Sequence, residues 1–300
     1  MARSGNRLRL LTAVGAAVVV AAGALTAAPA LEAAAHGPTA APAATADLVD
    51  RSSSSLATST RVNPNARPST GGVRLAPTKR GALNGSVIVV DPGHNGVYSR
   101  AINTRLVPDG RGGRKACNTS GTSTNSGFAE HAHNWSVATR LSNLLRARGA
   151  TVVLTRPNDR GVGPCVDERA AIGNRNRADL AISIHADGAA ASARGFHIIR
   201  SSSMAGGASV TKESARLATI TRDAFARGTG MPRSTYLGRG SAITPRADIA
   251  GLNNSRVPAV LLEAGNMRNA RDAALLRSGQ FQQRQAAALA DAAQQFLRRR

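Results

Sequence analysis

A chain of 300 residues holds one domain of moderate size with flexible ends, or two small ones. It carries 39 basic against 17 acidic residues, a formal charge of +22 drawn almost wholly from arginine, and only 3% aromatics. That balance fits a polyanionic neighbour or, equally, a codon bias that writes Arg wherever a charge will do; no basic stretch is interleaved with aromatics, which argues against a nucleic-acid binder that stacks on bases.

The chain opens with Arg3, Arg7 and Arg9, then runs through an apolar stretch from Leu10 to Leu25. Small residues follow, with A-x-A patterns at Ala28-Pro29-Ala30 and Ala33-Ala34-Ala35. This is the layout of a secretory signal peptide. Leu10 to Ala28 is long enough to span a bilayer, but the small-residue exit favours removal. Residues 1–35 are therefore expected to be a cleaved leader, leaving no stable membrane anchor and a secreted protein of the periplasm or cell wall. There the basic surface would meet anionic wall polymers. Residues 36–80 are dominated by Ala, Pro, Ser and Thr, including RSSSSLATST at Arg51–Thr60. Such a segment has little to bury and reads as a disordered linker. Residues 81–300 remain as the folded domain.

Order is expected from about Ser86. Val87–Val90 is an unbroken apolar run closed by Asp91-Pro92-Gly93, as in strands buried on both faces. Ser99–Gly127 is rich in Gly, Asn, Thr and Ser and reads as a long functional or mobile loop. Asn134, Val137, Leu141, Leu144 and Arg148 recur at helical spacing until Gly149 stops them. A strand at Thr151–Thr155, a helix at Val166–Arg177 and a strand at Leu180–His185 follow. Phe196–Ile199 is a weaker strand, Thr211–Arg227 a helix, Ala259–Glu263 a strand and Gln280–Leu297 a closing helix. This alternation predicts a single α/β domain with a mainly parallel central sheet flanked by helices on both faces.

In such a sheet, ligands bind at the carboxyl ends of the strands. His94 follows the first strand, His185 ends the third and Glu263 ends the last. Glu130 lies one turn ahead of Asn134, on the stripe that faces the sheet, and enters the same edge from a helix start. Two His and one Glu are a standard ligand set for a catalytic zinc, with a fourth position left for water. A second carboxylate off the metal can take and return a proton. Each residue alone has a plainer reading: a turn histidine, an acidic helix start, a carboxylate paired with arginine. The set of four is more specific than its members. His131 and His133 flank Glu130; His133 could support the site from behind a ligand, but is expected to be solvent-exposed. His197 reads as an ordinary strand histidine, Asp167 and Arg169 as members of structural ion pairs, and Asp248 and Asn253 as candidates to line a groove. Cys117 and Cys165, an even count in an exported chain, suggest a disulfide. A zinc thiolate pair is the competing reading, but their wide separation is unlike a zinc knuckle.

The segments VIVVDPGHNG, FAEHAHN, SIHADG and VLLEAGNMRN, in this order and spacing, resemble the zinc-dependent N-acetylmuramoyl-L-alanine amidases of the type 3 family. The resemblance covers the chain from about Ser86 to its C-terminus. It implies one zinc ion per chain held by His94, Glu130 and His185, Glu263 as catalytic acid/base, and peptidoglycan as substrate. The Cys117 and Cys165 pair, with its Gly-rich insertion, resembles the single-domain mycobacterial-type members. After Glu263 the chain reads AGNMRN where many members have a glycine-phenylalanine pair. Three other readings compete: a zinc peptidase acting within the stem peptide or crosslink, a non-catalytic wall-binding module, and a basic nucleic-acid binder.

Overall fold

The apolar runs become strands of one sheet because each supplies residues for two opposite faces. The computed structural model describes residues 71–298; the expected leader and most of the expected linker lie outside them. In chain order the strands are β1 (Val73–Leu75), β2 (Val87–Pro92), β3 (Leu106–Pro108), β4 (Arg114–Ala116), β5 (Thr151–Leu154), β6 (Leu180–Asp187), β7 (His197–Ser201), β8 (Ile243–Arg246) and β9 (Ala259–Asn266). The helices are α1 (Arg100–Thr104), α2 (Glu130–Ala147), α3 (Val166–Arg175), α4 (Gly207–Thr229), α5 (Ala250–Asn253), α6 (Ala270–Arg277) and α7 (Gly279–Leu297). Among the described residues, no helix is long and apolar enough to cross a membrane.

Seven strands form one sheet in the order β1-β5-β2-β6-β9-β7-β8. Its centre, β5-β2-β6-β9, is parallel; β1 runs antiparallel to β5 and β7 antiparallel to β9, while β8 is parallel to β7. The sheet is thus mixed around a parallel core. On one face Ile88, Val90, Ile182, Ile184, Val260 and Leu262 join α2, α4 and α7 in the main core. On the other, Val89 and Val153 meet Ile172 of α3, and Ile199 and Leu261 meet Leu252 of α5. Strand β6 shows the alternation directly: Leu180, Ile182, Ile184 and Ala186 are buried under α2, while Ala181, Ser183, His185 and Asp187 face the thinner side.

Two boundaries differ from expectation. Val73–Leu75, placed in the linker, is β1 and pairs with β5 from Val73↔Leu154 to Leu75↔Val152. Three residues are too few for a periodicity signal, but they cover a sheet edge that β5 would otherwise expose. The Ser99–Gly127 segment is not structureless. It carries α1 and the β3–β4 hairpin, tied to the body by a Cys117–Cys165 disulfide whose Cα atoms lie 4.5 Å apart. Strand β8 also escaped the sequence reading. It contains Pro245, which an edge strand tolerates because its outward N–H is not needed.

Candidate active site

Strands β2, β6 and β9 run parallel, so their C-terminal ends open on one rim. The chain leaves β2 through Gly93 and His94. His94 has φ 60, the left-handed region that a non-glycine residue seldom adopts. Gly93 admits no side chain, since a Cβ there would stand 2.2 Å from the His185 ring. This close approach places the two imidazoles edge to face, with centroids 4.7 Å apart.

Glu130, at the first position of α2, reaches between them. Its Oε2 lies 3.0 Å from His94 Nε2 and its Oε1 lies 3.0 Å from His185 Nδ1; the two nitrogens are 3.2 Å apart. Metal bonds of ~2.0–2.1 Å in a tetrahedron separate neighbouring ligand atoms by about 3.3 Å, so this donor set suits a small divalent ion. The supporting contacts suit one too. His94 Nδ1 donates to the Thr119 carbonyl at 2.9 Å, which leaves Nε2 as the free lone pair. The Glu130 carboxylate accepts from the backbone N–H of Thr122 at 3.0 Å and of Ala186 at 3.1 Å. Burial pushes the Glu130 carboxyl up, but His94 and His185 outweigh it and hold it well below the usual range. Burial lowers His185, while for His94 the Glu130 carboxylate overcomes burial and raises the imidazole.

Two buried guanidiniums lock this turn. Arg169 donates to the carbonyls of Pro164, Pro92 and His94, to Asp91 at 2.7 Å and to Asn95 Oδ1 at 3.0 Å. Arg156 donates to the Pro92 carbonyl, to Asp159 and to the His131 carbonyl, joining the His94 turn to the start of α2. Arg169 thus forms the ion pair expected of it. Asp167 forms none among the described residues, and its Oδ1 is buried without a partner.

Glu263 stands beside His185 across the β6–β9 register, outside the three-ligand cluster. Its Oε2 is buried without a hydrogen-bond partner. Burial, then the Glu130 and Asp187 carboxylates, push its carboxyl well above the usual range, with Arg246 opposing. A cleft of about 660 Å³ opens over His94, Glu130, His185 and Glu263 and is walled by 118–122 of the insertion.

His133, expected in solvent, is fully buried, with Nδ1 3.1 Å from Asn134 Oδ1. It stands four residues before Val137 on the same inward stripe, a signal the periodicity already held. His131 is only partly buried and donates to Asp159 at 2.9 Å. Asn253 does not line the cleft; it is buried, holding Ser201 and the carbonyls of Asp109 and Ala247. Asp248 pairs with Arg246 and, through its carbonyl, with Lys115 of the hairpin. The sequence reading missed Tyr236, which donates to Asp187 Oδ2 at 3.0 Å and meets His197 edge-on at 5.8 Å.

His197 lies on β7 opposite Glu263, fully buried, and burial holds its imidazole down to about 4, opposed by Asp187 and aided by Arg246. The unfolded chain accepts a proton near pH 6.5 that the folded one refuses until about pH 4, so stability falls as pH drops through that window. The wild type should lose about 3 kcal/mol more than His197→Gln between pH 7 and pH 4. Urea titrations at the two pH values measure this, and equal losses in both proteins would refute the assignment.

The sheet, the rim and its donor set define the class. A family model described as N-acetylmuramoyl-L-alanine amidase matches residues 88–295, and the chain belongs to that family. Among its relatives is the N-acetylmuramoyl-L-alanine amidase Rv3717 of Mycobacterium tuberculosis (strain ATCC 25618 / H37Rv), 44% identical over 215 residues, covering 72% of this chain and 88% of the relative. The crystal structure of the N-acetylmuramyl-L-alanine amidase Ami1 from Mycobacterium smegmatis superposes with a TM-score of 0.69 at 41% identity, over 73% of this chain and 99% of that one. Apo Ami1 from Mycobacterium abscessus gives 0.68 at 39% identity, over 71% and 99%.

Proposed function

We propose that this protein hydrolyses the amide between N-acetylmuramic acid and L-alanine in peptidoglycan, with one zinc ion held by His94, Glu130 and His185. The observation that carries the reading is the convergence of those three donors at 3.0–3.2 Å beside a fourth, unbonded carboxylate. Zinc supplies Lewis-acid polarisation and acidifies a water at neutral pH. Glu263, raised by burial and by its carboxylate neighbours, takes the proton from the attacking water. It then returns that proton to the alanine nitrogen as the C–N bond breaks. The water oxygen ends in the lactyl carboxylate, and the stem peptide leaves as a free amine.

Family membership supports the bond assignment, and the apolar leader-like N-terminus supports action outside the cytoplasm, where the +22 charge suits anionic wall polymers. Ala116, at the end of the β3–β4 hairpin, and 118–122, just past the disulfide, line the cleft, so the insertion is placed to shape access to it. Mass spectrometry of muropeptides after digestion tests the reading. Stem peptides with a free L-alanine N-terminus, absent when a chelator is added, are expected. Fragments cut within the stem or crosslink would point to a zinc peptidase instead.

A further inference from the structure

Beneath the candidate metal site, the thinner side of the sheet is built from unusually small residues. Ala181 and Ser183 of β6 form a floor, Ala170 and Gly173 of α3 one wall, and Ala250 and Gly251 of α5 the other. Such side chains cannot fill the gap between two helices and a sheet. A cavity of about 180 Å³ results, where close-packed interiors leave few spaces larger than a water. His94, His185, Ile249 and Leu261 line both this cavity and the cleft, so the two adjoin at the candidate metal site.

Most polar groups in its wall are already engaged; the exception is Asn118 Nδ2, which is buried without a partner. Asp91 accepts from Arg169, Ser183 and Thr155, and Lys115 Nζ donates to the Asp248 carbonyl at 2.6 Å. Val89, Val166, Leu252 and Ala259 supply much of the rest. A guest therefore gains from apolar contact and finds little to hydrogen-bond.

We propose that this cavity is a specificity subsite for an aliphatic branch on a carbon next to the scissile amide, and that it accepts branches larger than methyl. The inference rests on the amidase reading above. In that substrate two methyls flank the amide: the lactyl methyl on the acyl side and the alanine side chain on the amine side. An apolar cavity of about 150 Å³ holds benzene, so this one has room for a four-carbon isobutyl branch.

The test uses zinc-loaded protein and three synthetic substrates. The parent is N-acetylmuramoyl-L-Ala-D-isoglutamine; one analogue carries L-Leu for L-Ala, and the other an isobutyl group for the lactyl methyl. One enlarged analogue should be cut with kcat/KM within about tenfold of the parent, and which one it is identifies the branch that enters. Ala181→Leu, which fills the floor, should lower the analogue-to-parent ratio at least about tenfold. Gly173→Ala should shift the ratio the same way without disturbing the fold, since its Cβ would meet Val257 and Val89 at 3.6 and 3.8 Å. If wild type cuts the parent but loses more than about 100-fold on both analogues, the subsite is refuted and the amidase reading stands. An unchanged ratio in both variants refutes it as well. A protein that takes up zinc and leaves the parent uncut removes the amidase reading and the subsite together.

Discussion

Glu263→Gln should lower kcat by roughly 10²–10⁴ while the protein still takes up zinc. The substitution keeps size and shape and removes only the capacity to carry a proton. Glu263 lies outside the His94–Glu130–His185 cluster, so the three donors and the hydrogen bonds that orient them survive the change. The native group suits the task because burial and the nearby Glu130 and Asp187 carboxylates push its carboxyl up, toward the pH at which a proton is readily both taken and returned. KM should change little, since the loss lies in the transition state. Kinetics on a muropeptide, with zinc content by mass spectrometry, measure both quantities. A variant that loses zinc, or that recovers its rate when zinc is added, would place Glu263 on the metal instead.

His185→Ala should abolish both zinc binding and activity. Wild type is expected to hold about one zinc per chain. Without the imidazole, two ligand residues remain, and Glu130 Oε1 loses the group 3.0 Å away that helps to hold it in the ionised state. Folding should survive, because His185 sits on the thinner side of β6 while Leu180, Ile182 and Ile184 secure the strand in the main core. The variant should therefore melt as one cooperative unit with metal content near background. Full zinc occupancy in it, or full turnover by exhaustively chelated wild type, would defeat the proposed chemistry.

Much of this arrangement was legible in the chain because it depends on local pattern. Val87–Val90, Thr151–Leu154, Leu180–His185 and Ala259–Glu263 are apolar runs long enough to require burial, and burial on both faces makes them central strands. Parallel central strands bring their C-terminal ends to one rim, so His94, His185 and Glu263 could be grouped before any coordinate was known. Glu130 joined them through helical period alone. The Cys117–Cys165 bond followed from an even cysteine count in a chain whose N-terminus reads as an export signal.

What the tertiary structure decided lies where local signal is weak or shared. Val73–Leu75 is a strand only because β5 offers it an edge, and Ile243–Arg246 only because β7 does. His133 is the exception: the period of α2 already sets it inward with Val137, while His131, two residues earlier, stays partly exposed beside Asp159. Arg156 looks like one more arginine in a chain crowded with them, and Arg169 shows in sequence only as a candidate for an ion pair with no partner named. Packing around the His94 turn removes them from water, and burial then requires them to be paired. The cavity below the candidate metal site has no sequence signature, since small residues at Ala170, Gly173, Ala181 and Ala250 are unremarkable until two helices and a sheet bring them face to face. Residue type and period determine which segments must be buried; which buried groups meet depends on contacts between distant parts of the chain, and those form only in the fold.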